Sequence, residues 1–222
     1  AVGWEAMTTN TTASSNTAVG RKSMHDNTTG ANGVAVGHTA MHNNTTGAGN
    51  TVVGAEALFT NTTGTENTVV GYSSNYSSTG NNNTTIGYNS HPSAADSANQ
   101  ITLGNANNDN LRCADTSIST LSDSRDKTNV VDIPLGLSFL NTVRPVAFDW
   151  DTRDGSRVGK KDFGFIAQEL LAAGNATDYA NHMRLVSEEN PDKLEADPMK
   201  MFPILVKAIQ ELSAEIEILK AK

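Results

Sequence analysis

The chain has 222 residues, a formal net charge of −8 and one cysteine. This length allows one or two domains. The acidic balance leaves no basic patch to neutralise phosphates, so no nucleic acid is expected as a partner. A single cysteine, Cys113, excludes an intrachain disulfide framework and a thiolate metal cage within one chain, and we expect it to be a small buried residue. Without a run of about eighteen apolar residues, we expect neither membrane insertion nor a signal peptide.

The composition changes near residue 121. Residues 1–121 carry ten charged side chains, whereas the 101 residues that follow carry thirty. The first part consists mainly of Asn, Thr, Gly and small apolar residues, and the second has the mixed composition of a globular domain. We therefore predict two domains, residues 1–121 and 122–222. Because the first begins in the middle of a repeat, we also expect the chain to be the C-terminal piece of a longer protein.

Glycines that close a short apolar segment recur along the first part at a nearly constant spacing. They are Gly3, Gly20, Gly37, Gly54, Gly71, Gly87 and Gly104, 17 residues apart except for 16 between Gly71 and Gly87. Such a period is typical of a solenoid. Each glycine follows a short, mostly β-branched segment, as in Asn50-Thr-Val-Val-Gly54, which predicts one short strand per repeat.

A second turn signal, Asn-Thr-Thr-Gly, occurs half a repeat later, for example at residues 44–47 and 61–64. Asn and Gly readily adopt the positive φ angles of tight turns, so we predict exposed corners there. The triplets also match the N-glycosylation pattern, but their recurrence favours turn geometry. A threonine ladder for binding ice is disfavoured because His, Met and Glu interrupt it. His25 and His42 occupy equivalent positions, yet Phe59 and Tyr76 follow them in the same series, so no metal site is predicted.

Each repeat offers only three or four modest apolar side chains. These are too few to offset a backbone entropy cost of about 1 kcal/mol or more per ordered residue. We therefore predict that three chains wind around a shared axis into a trimeric β-shaft, with Val53, Val70 and Ile86 pointing inward. The repeats resemble the glycine-punctuated shafts of phage tail fibres and, more loosely, the heads of trimeric autotransporter adhesins.

The second part reads as a small α+β domain. The pattern predicts a short helix at residues 135–140, a strand at 145–150, a turn at 151–161 and a helix at 163–171. A strand at 184–187 and a loop at 190–198 follow. The last segment contains five apolar residues spaced by 4, 3, 4 and 3, which predicts a parallel trimeric coiled coil over about residues 200–222. We call these residues the seam: Leu205, Ile209, Leu212, Ile216 and Leu219.

Four segments of the second part form an ordered set: Ser122-Asp-x-Arg-x-Lys127, Arg144-Pro145 before Phe148-x-Trp150, residues 164–169, and residues 203–212. In this order and spacing, residues 122–222 resemble the C-terminal intramolecular chaperone domain of phage tailspikes, endosialidases and tail fibres, which also occurs in a self-cleaving, membrane-bound eukaryotic transcription factor. The resemblance implies a domain that trimerises, guides the shaft strands into register and then cuts itself off near Ser122. It further implies a virion protein assembled in the host cytoplasm, with upstream fibre segments and a host surface receptor as partners and with no cofactor.

The opening motif can be interpreted chemically. A serine hydroxyl needs a base, and a lysine becomes one when burial and neighbouring cations lower its pKa. Ser122 is therefore the predicted nucleophile, Lys127 the base and Arg125 a supporting cation, with Asp123 on the scissile junction. Attack on the carbonyl of Leu121 passes through a five-membered ring, whereas attack on the carbonyl of Ser122 itself needs a strained four-membered one. The family resemblance nevertheless places the Ser122–Asp123 bond first and the Leu121–Ser122 bond second.

Two alternatives remain open. The hexapeptide can be a polar linker in which Ser or Asp caps the following segment. The whole chain can then be an adhesin or fibre stalk whose terminal domain trimerises without cutting. A freely acting hydrolase is disfavoured, because the shaft contains neither a paired-carboxylate groove nor a Ser/His/Asp set.

Overall fold

The computed structural model describes residues 1–108, 111–113 and 119–222. The chain divides into two compact units, Ala1–Asn110 and Leu111–Lys222. The first unit contains six strands of three residues each. They are β1 (Thr17–Val19), β2 (Val34–Val36), β3 (Thr51–Val53), β4 (Thr68–Val70), β5 (Thr84–Ile86) and β6 (Ile101–Leu103).

The six strands form one parallel sheet in chain order. Each strand pairs with the strand one repeat later, so Thr51 lies beside Thr68 and Val53 beside Val70. Successive repeats are therefore successive turns of one coil. This confirms the predicted β-solenoid, with about five turns at a 17-residue spacing.

The glycine after each strand is required by backbone geometry. Gly71 has a φ of 134°, which residues with a side chain rarely adopt. A Cβ atom placed on it would also collide with the carbonyl oxygen of Gly87 on the next turn. The repeating glycine thus permits both the corner and the close stacking of one turn on another.

The middle residue of each strand from β1 to β5 is buried inside the solenoid. Val52 and Val69 are fully buried, together with Met41 and Leu58 of the same apolar cluster. Val53 and Val70, predicted to point toward an axis shared by three chains, are in register as expected and lie on the outer face of their own solenoid, as does Ile86. Their facing toward other chains stays a prediction, because successive residues of a strand point to opposite faces and the interior of each solenoid is filled by the residue before them.

Asparagine ladders fill much of the remaining interior. Asn61 Nδ2 donates to Asn44 Oδ1 at 2.8 Å, and Asn44 Nδ2 donates to Asn27 Oδ1 at the same distance. A second ladder joins Asn50 and Asn67. These side chains are fully buried, so the prediction that the asparagines of the Asn-Thr-Thr corners are exposed was wrong. Buried polar groups need partners, and here each turn supplies them to the next.

The turn from Gly71 to Gly87 differs from the others. It is one residue shorter, and Asn75 occupies the interior place that Met41 and Leu58 hold in the two preceding turns. The apolar core described above therefore gives way to polar side chains at this turn.

Ring side chains stack along the outside of the solenoid at another repeated position. The ring centroids of His25 and His42 lie 5.0 Å apart, and Phe59 and Tyr76 continue the series at 5.1 Å per step. Within the described residues, no group of three or more His, Cys, Asp or Glu side chains is placed to hold a metal ion. We assign this series to stacking of one turn on the next.

The second unit contains four helices and two small antiparallel sheets among its described residues, which confirms the predicted α+β region. Strands β7 and β8 pair with each other, as do β9 and β10. The elements are α1 (Leu137–Leu140), β7 (Val146–Asp149), β8 (Lys161–Gly164), α2 (Ala167–Asn175), α3 (Ala180–Met183), β9 (Val186–Ser187), β10 (Glu195–Ala196) and α4 (Phe202–Lys220).

Two predicted elements differ from the structure. The helix expected from residue 163 begins only at Ala167, because Phe163 and Gly164 pair with Ala147 and Val146 in the β7–β8 hairpin. The loop expected at 190–198 contains β10. Both differences arise from pairing with a distant strand, which local pattern does not report.

The core of this unit is apolar and lies between α1, α2 and the start of α4. Ile204 and Ala208 are the buried residues of α4, and Glu211 Oε2 accepts a hydrogen bond from the Leu137 backbone N–H at 2.8 Å. Cys113 is exposed, so the prediction of a buried cysteine was wrong. Across the described part of the chain, no helix has both the length and the hydropathy of a membrane span. The buried core residues are Phe139, Leu170, Met183, Leu185, Val186, Met201 and Ile204.

Candidate functional site

Ser122 and Lys127 are in direct contact. Lys127 Nζ donates a hydrogen bond to Ser122 Oγ at 2.7 Å. A short 3-10 turn, Ser124–Asp126, lies between them and reverses the chain. The backbone N–H of Lys127 donates to the carbonyl of Ser124 at 3.3 Å, which closes this turn and returns the lysine toward the serine.

Asp123 caps the same turn. Its Oδ1 accepts from the backbone N–H of Arg125 at 2.9 Å and from the Arg125 Nε at 3.0 Å, while its Oδ2 accepts from Nη2 at 2.6 Å. The hydrogen bonds from the Arg125 side chain, followed by the one from its backbone, lower the pKa of the Asp123 carboxyl. Asp123 thus fixes the first residue of the turn that joins Ser122 to Lys127.

Arg125 is already paired with a carboxylate. This ion pair raises the pKa of the guanidinium and neutralises much of its charge. The influence on Lys127 that we expected from Arg125 is therefore weakened in a single chain. The arginine acts most directly on Asp123, the residue after Ser122.

The site is open to solvent in one chain. Ser122, Arg125 and Lys127 are all exposed, and Asp123 is only half-buried. A lysine acts as a base when burial disfavours its charged form, and the single chain provides no such burial around this turn. The contact between the predicted nucleophile and the predicted base is present, and neither side chain is buried in the single chain.

An ion pair connects two of the other motifs. Arg144 Nε donates to Glu169 Oε2 at 3.0 Å, and its Nη2 donates to Oε1 of the same carboxylate. These hydrogen bonds lower the pKa of Glu169. The Arg144-Pro145 step and the Gly164–Glu169 segment therefore meet in space, a contact that sequence reasoning did not identify.

The seam lies on the exposed side of α4. Its five residues are 41% to 68% exposed, whereas Ile204 and Ala208 face the core of their own unit. α4 thus has two apolar faces, one satisfied within the chain and one facing solvent. A sustained 4-3 spacing on the second face is typical of helices that pack against one another.

One comparison with known proteins gives a match. Residues 122–182 match the model of the Peptidase_S74 family, described as chaperone of endosialidase. No curated protein and no solved structure matches the chain. The matched region begins at Ser122 and includes Lys127, the Arg144–Glu169 pair and the β7–β8 hairpin. The predicted resemblance to this chaperone domain is confirmed over residues 122–182; for residues 183–222 it stays a prediction.

Proposed function

We propose that this chain is the end of a phage tail fibre or tailspike whose terminal domain trimerises the fibre, chaperones its β-shaft and releases itself by cutting near Ser122–Asp123. The family match supports the chaperone role. The 2.7 Å contact between Lys127 Nζ and Ser122 Oγ is the observation that supports cutting. In this proposal the protein belongs to the virion and is assembled in the host cytoplasm. Its partners are two further copies, upstream fibre segments and a host surface receptor.

The chemistry follows the geometry of the pair. A neutral Lys127 Nζ takes the proton from Ser122 Oγ as the oxygen attacks a carbonyl carbon. At the Leu121 carbonyl this forms an ester through a five-membered ring, breaks the C–N bond to Ser122 and returns the proton to the released amine. Water then hydrolyses the ester. We keep Ser122–Asp123 as the first candidate bond on the family resemblance and Leu121–Ser122 as the second.

Assembly comes before cutting in this proposal. In a single chain Lys127 is exposed to solvent, and the proposed base has to be a neutral amine to accept the serine proton. Association of three domains would bury the turn and favour the neutral amine, because desolvation disfavours the charged form. Cutting would then occur only in assembled trimers and would leave the shaft kinetically trapped.

A second candidate function is a trimeric stalk or adhesin whose terminal domain never cuts. The Asp123 cap favours it, because a capped and exposed turn also serves as an ordinary linker. The mass of freshly purified protein separates the two candidates. Two pieces divided near residue 122 support self-cleavage. One full-length species in a trimer supports a terminal domain that trimerises without cutting.

Removing the cap should slow cutting. We expect Asp123→Ala to lower the cleavage rate several-fold, since the turn that returns Lys127 to Ser122 loses its first hydrogen bonds. Asp123→Asn keeps a capping oxygen and should cut faster than Asp123→Ala. Densitometry of the two products over time measures the rates. Equal rates in the parent and Asp123→Ala would show that the cap does not position the pair.

The pH dependence of this cap has a defined sign. Arg125 holds the pKa of Asp123 below its usual range, so the ionised cap is fully present above the ordinary aspartate pKa and is lost only as the pH falls through the lowered value. We therefore expect the hydrogen bonds from Arg125 to Asp123 to persist when the pH is lowered from neutral to the range in which an unpaired aspartate becomes protonated.

Charging the seam should prevent assembly. In the variant that combines Ile209→Asp with Ile216→Asp, each chain would place two carboxylates in a helix contact, where unpaired charges are unfavourable. Light scattering should report a monomer and electrophoresis an uncut chain. The matched control adds two carboxylates to other faces of α4, Gln210→Asp with Ala214→Asp, and should remain trimeric. A trimer in the seam variant would contradict the coiled-coil proposal.

A further inference from the structure

One polar side chain inside the solenoid lacks the partners that similar side chains have. Asn75 is fully buried, and neither its Oδ1 nor its Nδ2 has a hydrogen-bond partner among the described residues. The buried asparagines Asn44 and Asn61, by contrast, bond to each other and to nearby backbone carbonyls. Buried polar groups in native proteins pair with protein atoms or with ordered water, so the amide of Asn75 points to a bound molecule.

Asn75 occupies a place that apolar side chains fill in the preceding turns. Leu58 and Asn75 both lie four residues after a corner glycine, and both are fully buried. At the middle of the strand, Thr85 lies beside Val69 and replaces it in this turn. Asparagine and threonine are smaller than leucine and valine. Side chains therefore fill less of the interior at this turn than at the one before it.

The buried side chains of this turn are polar and uncharged. Ser74 Oγ donates to Thr85 Oγ1 at 3.2 Å, and both side chains are fully buried. In the part of the chain that the structure describes, no group of three or more His, Cys, Asp or Glu side chains is placed to hold a metal ion. A cation would contact only the amide oxygen of Asn75, and an anion only its nitrogen. A neutral molecule with both a donor and an acceptor satisfies both atoms, and water is the smallest such molecule.

We propose that Asn75 binds a water molecule inside the solenoid, which donates to Oδ1 and accepts from Nδ2. A buried water makes about three hydrogen bonds to buried polar groups. The hydroxyl pair of Ser74 and Thr85 supplies further polar atoms in the same turn. The short turn thus exchanges apolar packing for a hydrated interior. This inference concerns the shaft alone and does not depend on trimerisation or on cutting.

Oxygen-17 magnetic relaxation dispersion tests this site in the full-length chain, because it detects water molecules that stay bound far longer than surface water. Asn75→Leu installs the residue of the preceding turn and removes the amide. We expect this variant to lose the dispersion of at least one long-lived water per chain. The matched control, Asn107→Leu, makes the same change at an exposed residue and should equal the parent. Equal dispersion in the parent and in Asn75→Leu would overturn the inference.

A second measurement uses only the parent, so it does not depend on how well Asn75→Leu folds. In a high-resolution crystal structure of the parent, we expect an ordered water within about 3.2 Å of Asn75 Oδ1 or Nδ2. An Asn75 amide that pairs directly with protein atoms, or that contacts a metal ion instead of water, would overturn the inference and leave the proposed function intact. Circular dichroism of each variant establishes that the dispersion experiment compares folded shafts.

Discussion

Ser122→Ala is expected to yield an uncut, full-length chain that still assembles as a trimer. Without the hydroxyl there is no nucleophile, while the fold and the seam are untouched. Lys127→Ala should also remain uncut, because the only described hydrogen-bond donor to Ser122 Oγ is Lys127 Nζ. Lys127→Arg should fail as well, since a guanidinium does not lose its proton near neutral pH. Denaturing electrophoresis and intact mass give the result directly.

The control for this series lies in the same turn. Ser124→Ala removes a neighbouring exposed hydroxyl that has no role in the proposed chemistry, so its cleavage should equal that of the parent. Light scattering on each variant separates loss of chemistry from loss of assembly. Undiminished cutting in Ser122→Ala would show that Ser122 is not the nucleophile. An uncut trimeric parent would favour the alternative in which the terminal domain trimerises without cutting.

Asn61→Ala is expected to destabilise the shaft severely. Asn61 Nδ2 donates to Asn44 Oδ1 and to the Gly64 carbonyl, and its Oδ1 accepts from the Gly64 N–H. The truncation leaves Asn44 Oδ1 and the Gly64 N–H without these partners, at about 1–3 kcal/mol for each, whereas the Gly64 carbonyl keeps its hydrogen bond from Asn50 Nδ2 at 2.8 Å. The free energy of unfolding should therefore fall by several kcal/mol, measured by denaturant unfolding in the uncut Ser122→Ala background.

Two comparisons make this test specific. Thr63→Ala changes an exposed residue of the same corner and should alter the free energy of unfolding by no more than about 0.5 kcal/mol. Asn61→Asp keeps the size and the acceptor but removes both donors and buries a charge, so it should be at least as harmful as Asn61→Ala. A shaft as stable in Asn61→Ala as in Thr63→Ala would show that the ladder contributes little.

The solenoid was predictable because its signal is the regular spacing of glycines. At positions such as Gly71 the backbone has a positive φ and no room for a Cβ atom, so only glycine fits there. Which residue of each strand points into the solenoid could not be predicted in the same way. Strand β4 ends in two adjacent valines, Val69 and Val70, so the alternation of apolar and polar residues that assigns a face is missing. Only the path of the corner determines which valine points inward.

The asparagine ladders were missed for a different reason. Asn44 and Asn61 precede Thr-Thr-Gly, and asparagine before glycine-rich segments is a common turn former, usually exposed. Their recurrence every 17 residues was a signal of the ladder that the sequence contained. A single turn needs asparagine only at one place, whereas a ladder needs asparagine at the same position in successive turns of the solenoid. Sequence reasoning applied the local rule to a long-range contact.

At the candidate site, the five-residue spacing predicted the meeting of Ser122 and Lys127, and the alternative interpretation predicted the cap at Asp123. Both features coexist in the structure. The pairing of Arg125 with Asp123 was not foreseen, since a charged residue next to two possible partners gives no preference from sequence alone. In the proposed trimer, burial of the pair would depend on neighbouring chains, and a local pattern in one sequence does not report such contacts.

The short turn between Gly71 and Gly87 has a consequence for how copies align. Uniform 17-residue turns would let one shaft slide along another by a whole turn and meet an almost identical surface, losing only one turn of overlap. A single 16-residue turn, with Asn75 in place of an apolar residue, breaks this translational symmetry. Shafts displaced by a turn would set the short turn of one copy beside a full turn of its neighbour. In the proposed trimer, the irregular turn would be a positional mark that makes one alignment of the three chains distinguishable from the others.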